Sequence, residues 1–537
     1  MRHVAWSDST RTFGRSPFRT RIRPFVRPPL RPIVQPLVGG LALMVLVCAL
    51  TPTGTLAQAA TEDARVTTPF DVGVNAIIGT RPLDRVHWGL LLMEASTGEI
   101  LYARNPDLRF APASNMKIPV TAAALELLGP DHRFETVFLA GLPPDPDGRI
   151  TGDLFVPGTG DPSLGEPFHA SADAAVEALA DSLVSAGVRR IEGRLVVDVS
   201  AWDSTSVPTA WLVGNLPRTA AATGGAFAIG MGELEIEVTG GAAPGDPATV
   251  DWRPMGGGSF VESRLVTVPA GGGVDVRDLY LPESRRWVLE GMITPGARRT
   301  LSRSQRDPVR QAAHALYRAI EGRGIPIEGG LEILWNPGEP VLGGCRAGEL
   351  PVCTGSVRIA GMASPPLSEL VREILEVSQN WMTEQLVRVL GAEFGTKGSW
   401  DEGFDVITET LVQGAGIEAE DLHFRDGSGL AGYNLISPRA LAMTLRWAAE
   451  RPWGPQFRRA MAEPGKVNTT LSSRLPDLHG RVFAKTGTIS HSNALSGYLV
   501  SDSGEERIFV IFTNASNLPA APVRAGIDGV TREFARP

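Results

Sequence analysis

The sequence predicts a mixed α/β (α+β) fold, an antiparallel sheet with flanking helices, interrupted by inserted β-rich domains. Three observations carry this expectation. A hairpin pattern over residues 86–104 is answered by a second over 493–514, so two segments distant in sequence build one sheet. Helical patterns follow the first hairpin and precede the second. Between about 140 and 350 the texture changes to short β-like runs separated by Gly, Pro and Asp clusters.

Taken in order, Met1 to Pro36 is basic and Pro-rich, and an apolar run spans Leu37 to Leu50. The run has the length of a signal-peptide core and falls short of the roughly 20 residues of a spanning helix. Ala57-Gln58-Ala59 reads as the cleavage site, so residues 1–59 are expected to be a signal peptide and the remainder exported and soluble. The long basic segment leaves a misassigned start or an uncleaved anchor as alternatives. The first hairpin pairs Trp88 to Met93 with Ile100 to Tyr102 around Ala95-Ser96-Thr97-Gly98, and a helix over Val120 to Leu128 ends at Gly129-Pro130. The β-like runs of the middle are Arg194 to Val199, Leu234 to Val238, Ser263 to Val268 and Trp287 to Met292, with helices near 171–187 and 307–323. Leu367, Leu370, Val371, Ile374 and Leu375 share one helical face. Asn493 to Val500 and Arg507 to Asn514 flank the turn Ser501-Asp502-Ser503-Gly504. The expected division is a discontinuous catalytic domain over 60–140 and 355–537, with 141–354 inserted.

Composition narrows the function. The 537 residues are 43% apolar and 20% charged, too apolar for a disordered chain. Sixty Gly and 42 Pro follow no period, which excludes collagen and solenoids. Net charge is −8, but residues 1–59 hold eight Arg and one Asp, so the rest carries −15. Nucleic acid is excluded as a partner, because neutralising phosphates needs Lys and Arg. Beyond Cys48 in the apolar run, the cysteines are Cys345 and Cys353. In an exported protein they read as one disulfide closing a short loop. Without a nearby His cluster they make a poor metal site.

Lysine gives the sharpest clue. Of 51 basic side chains only Lys117, Lys397, Lys466 and Lys485 are lysines. Lysine can give up its proton when burial or a neighbouring cation lowers its pKa, whereas arginine cannot. In Ser114-Asn115-Met116-Lys117 the amine can reach the hydroxyl three residues back and act as base for a serine nucleophile. In Lys485-Thr486-Gly487-Thr488 a charge and hydroxyls on an edge strand suit a carboxylate, and Gly487 permits close approach. Ser378-Gln379-Asn380 is a polar triplet interrupting an apolar helical stretch. Each alone is weak: a surface helix start, an exposed hairpin turn and a solvated helix end would look the same.

Together and in this order, S-x-x-K, S-x-N and K-T-G match the active-site set of penicillin-recognising serine enzymes. Gly160-Asp161-Pro162-Ser163-Leu164, Asp426-Gly427-Ser428-Gly429-Leu430, Asn434-Leu435-Ile436-Ser437-Pro438 and the wide gap between the first two motifs narrow the match. Over roughly residues 86–515 the chain resembles the D-alanyl-D-alanine carboxypeptidase/endopeptidases, the low-molecular-mass class C penicillin-binding proteins. The resemblance implies a β-lactamase/DD-transpeptidase-like core. It also implies hydrolysis of peptidoglycan stem peptides through an acyl-enzyme, covalent inhibition by β-lactams and no cofactor or metal. By the same resemblance Ser114 attacks, Lys117 is the base, Ser378 relays a proton, and Asn380 holds the substrate amide and orients Lys117. Lys485 and Thr486 bind the carboxylate, and the Ser114 and Thr488 N–H groups form the oxyanion hole. The charge on Lys485 is expected to help depress the pKa of Lys117.

Departures bear on specificity. Gln379 stands where Asp is common, Ala431-Gly432 where many relatives carry Ser-Arg, and Ile489-Ser490 where Leu-Gln is common. Trp211-Leu212-Val213-Gly214-Asn215 offers an amide where relatives often have an acid. Readout of the stem side chain is therefore expected to be reduced. Asp161 and Asp426 are expected to serve their own Gly-rich turns, and His491, close after the third motif, either lines the cleft or is a hydrogen-bonded loop histidine. Two other classes compete. A serine β-lactamase or esterase is disfavoured by the long insertion and by the lack of a recognisable deacylating Glu loop after Ser114. A noncatalytic peptidoglycan-binding scaffold is disfavoured by three intact motifs.

Overall fold

The structure, a computed structural model, describes residues 69–254, 261–281, 283–284, 286–342, 345–346, 348 and 355–537. The expected signal peptide and Cys353 lie outside them, and so does the expected Cys345–Cys353 pairing.

The two hairpins do build one sheet. Its five antiparallel strands run in the order Ile100–Arg104, His87–Glu94, Glu506–Asn514, Ser492–Val500, Val482–Ile489. The join is the pairing of His87–Glu94 with Glu506–Asn514, in unbroken register from His87 opposite Asn514 to Glu94 opposite Arg507. Side chains alternate between faces along a strand. Leu90 and Leu92 pack on the helices Pro69–Ile78 and Ala520–Phe534, while Leu91 and Met93 face the core that holds the helix Lys117–Leu128. Burial on both faces explains why Gly89 to Met93 reads as a continuous apolar run and not as an alternation. Each fully buried leucine contributes about 1.5–3 kcal/mol relative to exposure.

The inserted region is more than β-rich. Five strands form a mixed sheet in the order Leu331–Leu334, Leu195–Asp198, Leu154–Pro157, Glu135–Ala140, Val357–Ala363. The first three pair in parallel, and such pairing requires crossover helices. The crossovers include Ala172–Ser185, capped by the Ser171 hydroxyl on Ala174 N–H, and Pro308–Gly322, capped by Asp307 with Pro308 in its first turn. The antiparallel strands Glu135–Ala140, inside the sheet, and Val357–Ala363, at its edge, carry the chain into and out of it. Two three-stranded sheets complete the region around their own core of Leu234, Ile236, Val238, Leu265, Trp287, Leu289, Ile293 and Leu301. No helix among the described residues is long and apolar enough to cross a membrane.

Candidate active site

The three motifs converge. Ser114 sits in a single 3-10 turn, Ala113–Met116, that runs directly into the helix Lys117–Leu128. The helix therefore begins three residues before the expected Val120, because Pro119 falls in its first turn, where the missing N–H has no partner to lose. Lys117 Nζ donates to Ser114 Oγ at 3.0 Å, to Asn380 Oδ1 at 2.6 Å and to the Ser428 carbonyl at 2.6 Å. Three acceptors saturate one amine, so its position is fixed. The amine is fully buried, and burial lowers its pKa to about 7 against the opposing pull of Asp426 and Glu384.

Asn380 opens the helix Asn380–Phe394. Its Nδ2 donates to the Ala220 carbonyl at 2.8 Å, which leaves Oδ1 facing Lys117. The inserted region thus orients a side chain that touches the base. Ser378 lies in the break before this helix with φ of +70°, a conformation costly for a residue other than Gly. Gln379 turns away from the site. Its Oε1 accepts from Trp381 N–H at 2.7 Å and its Nε2 donates to Met231 Sδ at 2.8 Å, so the change from the common Asp alters a helix cap.

Lys485 to Thr488 lie on Val482–Ile489, the edge strand of the five-stranded sheet. Lys485 is fully buried and donates to the Thr486 carbonyl at 2.9 Å. Burial pulls its pKa well down, and repulsion from Lys117 pulls it further. The expectation was that the charge on Lys485 helps depress the pKa of Lys117. In the structure burial is the principal cause for Lys117, and the repulsion lands on Lys485. Asn115 Nδ2 donates to the Lys485 carbonyl at 3.1 Å, tying the first motif to the third. A Cβ at Gly487 would lie 2.8 Å from the Pro112 carbonyl oxygen and 3.0 Å from the Ala113 Cβ, so the nucleophile turn is packed hard against this strand.

The loop Asp426 to Ala431 closes the site from the other side. Asp426 accepts from Gly429 N–H, Ala431 N–H, Asn434 Nδ2 and Trp211 Nε1 at 2.6–2.8 Å, fully saturated and structural as expected. Asp161 likewise serves its turn, accepting from Ser163 N–H and hydroxyl and from Thr136. His491 contacts the Ser516 carbonyl through Nδ1 at 2.9 Å, a loop histidine. Gly429 has φ of +80°, and a Cβ there would lie 1.9 Å from the Ala113 carbonyl oxygen. Ala113 itself has φ of +49°, so the residue before the nucleophile is strained and the loop presses on it.

Sequence reading missed four contributors. Ser428 supplies a carbonyl to the base. Glu384, one turn after Asn380, accepts Gly427 N–H, Ser428 N–H and the Trp400 indole at 2.8–3.0 Å, and burial pushes its pKa up to about 7. Trp211 ties the inserted region to Asp426. Arg388, held between Trp202 and Trp400 at 4.6 Å from each ring, donates to the Asp203 and Gly398 carbonyls and locks the helix of Asn380 to the inserted region. Glu384 had a signal in its spacing of four from Asn380, and Ser428 and Trp211 lie in stretches already singled out, though not for these contacts. Lys466, without a visible partner in sequence, pairs with Glu376.

The arrangement holds a hydroxyl against an amine poised to be neutral near pH 7, beside an edge strand bearing hydroxyls. That combination suits acyl transfer through a serine nucleophile. Comparison with known proteins agrees. Residues 73–534 match the D-Ala-D-Ala carboxypeptidase 3 (S13) family. The D-alanyl-D-alanine carboxypeptidase of Actinomadura sp. (strain R39) is 32% identical over 460 residues, 83% of this chain and 81% of that one. D-alanyl-D-alanine carboxypeptidase DacB of Haemophilus influenzae is 23% identical over 79% of this chain and 85% of that one. The crystal structure of penicillin-binding protein 4 (dacB) from H. influenzae matches the fold with a TM-score of 0.72 at 22% identity, covering 86% of this chain and 99% of that one.

Proposed function

The chain belongs to the D-Ala-D-Ala carboxypeptidase 3 (S13) family, and on that premise we propose that it is a serine-type D-Ala-D-Ala carboxypeptidase of peptidoglycan stem peptides that β-lactams acylate at the same serine. The observation that carries the reading is the Lys117 amine, 3.0 Å from Ser114 Oγ and depressed to about 7.

The proposed residue roles are those the family membership implies, and the contacts of Lys117 with Ser114 and Asn380 support them. Neutral Lys117 takes the Ser114 proton as Oγ attacks the carbonyl of the penultimate D-Ala. The Ser114 and Thr488 N–H groups stabilise the oxyanion, a contribution of roughly 3–4 kcal/mol for one such donor in comparable sites. Ser378 passes a proton to the leaving D-Ala amine, and Asn380 holds both Lys117 and the substrate amide. Water then releases the acyl group, with Lys117 as base again. Lys485, Thr486 and Thr488 take the terminal carboxylate, and its charge favours the protonated form of Lys485 on binding. Because a crosslinked stem presents the same D-Ala carbonyl, DD-endopeptidase action is an extension of the same chemistry.

The catalytic unit is proposed as 60–140 with 355–537, the intervening residues forming the inserted region. Export through residues 1–59, residence outside the cytoplasm and a Cys345–Cys353 disulfide belong to the same reading, since peptidoglycan lies beyond the membrane. The test is release of D-Ala from an acylated Lys-D-Ala-D-Ala peptide, with the Ser114→Ala protein as control. Wild-type protein without hydrolysis, or hydrolysis surviving in the variant, would overturn the proposal.

A further inference from the structure

We propose that Arg524, on the C-terminal helix Ala520–Phe534, is a substrate-recognition residue that binds the terminal carboxylate together with the hydroxyls of Thr486 and Thr488. The proposal rests on the carboxypeptidase reading and adds a residue that lies outside all three motifs.

Its basis is placement. Thr486 and Thr488 are two residues apart on an edge strand, so their side chains share one face. Thr488 is exposed and Thr486 half-buried. Arg524 Nη2 donates to Thr488 Oγ1 at 3.1 Å, and the single proton of that hydroxyl has two acceptors in reach, the Gly487 carbonyl at 2.7 Å and Asn493 Oδ1 at 3.3 Å. The guanidinium thus lies against the hydroxyl on the face that Thr486 and Thr488 share, and a carboxylate bound there would take the hydroxyl proton in place of those acceptors. Further along the helix and just past it, Arg532 and Arg536 are tied to Asp477 and Glu533. Arg524 forms no such ion pair among the described residues, and its remaining donors face solvent at an exposed position.

Charge completes the case. Lys485 is buried, donates to its own strand and faces a second buried amine, so its pKa is pulled well down. Holding a charge on that amine is therefore costly, whereas the exposed Arg524 guanidinium keeps its charge whatever the state of Lys485. Arginine cannot lose its proton, and its fork matches a carboxylate in two parallel hydrogen bonds. Arg524 thus brings a permanent positive charge to the face that Thr486 and Thr488 share.

The full chain and its Arg524→Gln and Arg524→Lys variants are assayed on matched pairs: benzylpenicillin and its methyl ester for acylation, and an acylated D-Ala-D-Ala peptide and its C-terminal amide for hydrolysis. The expected result is a fall of roughly tenfold in the preference for the free acid in Arg524→Gln, carried by KM, with partial rescue by Arg524→Lys. An unchanged acid preference, or equal loss on acid and capped substrate, overturns the proposal while leaving the carboxypeptidase reading intact. A wild-type protein inert to both penicillin and peptide overturns the reading and this proposal with it.

Discussion

Burying Lys117 has a cost that depends on pH, and Lys117→Met exposes it. The amine moves from 10.5 in the unfolded chain to about 7 in the fold. The unfolded state therefore binds more protons between these values, and stability must rise with pH across that window. Below about pH 7 both states are protonated and the cost is fully present; above about 10.5 it vanishes. Between pH 7 and 9 the wild type should gain about 2 kcal/mol, a little less than the full 1.36 kcal/mol per pH unit because half of the native amines are already neutral at pH 7. Methionine has no such term. It does strand the acceptors Asn380 Oδ1 and the Ser428 carbonyl, at about 1–3 kcal/mol each, but that loss does not titrate. Urea unfolding midpoints of wild type and variant, converted to free energies at pH 6, 7, 8 and 9, isolate the difference. The variant should look best relative to wild type at pH 6 and 7 and lose that advantage steadily toward pH 9. Parallel stability curves for the two proteins would refute the assignment of Lys117 as a buried, proton-shedding amine.

Three further outcomes are expected. Gly429→Ala should nearly abolish acylation, because its Cβ would meet the Ala113 carbonyl oxygen at 1.9 Å at a φ of +80°; normal penicillin labelling of a folded variant would contradict this. Lys117→Arg should eliminate acylation while Lys485→Arg retains more, since guanidinium can meet a carboxylate but cannot accept the Ser114 proton; equal losses in single-turnover assays would reverse the assignment of base and anchor. Cys345 and Cys353 should resist alkylation until reductant is added, and the short loop they close should contribute about 2–3 kcal/mol; free thiols in exported protein would end that reading.

Much of the site was legible because its chemistry is local. Ser114 and Lys117 are a helical i, i+3 pair, and the Lys485 strand carries its own spacing, so the residues announce themselves before folding. The sheet was legible because Trp88 to Met93 and Asn493 to Val500 keep strand-like runs beside good turns. Illegible features depend on long-range closure. The parallel strands Leu154–Pro157, Leu195–Asp198 and Leu331–Leu334 are short apolar runs without alternation, so period alone could not pair them. The Ser428 carbonyl is backbone, and no side-chain pattern encodes that it meets Lys117, 311 positions earlier in the chain. Trp211 and Arg388 act across the boundary between the inserted region and the Asn380 helix. Each looks like an ordinary core or surface residue until both sides are present.

The central claim is that Ser114, activated by Lys117, forms an acyl-enzyme. Intact-mass and peptide-level mass spectrometry of the full chain after penicillin treatment tests it most directly. One penicilloyl group per chain is expected, on the peptide containing Ser114, with labelling that weakens as pH falls below about 7 as Lys117 takes up its proton. An adduct on another residue, or no adduct at pH 8 in folded protein, would contradict it.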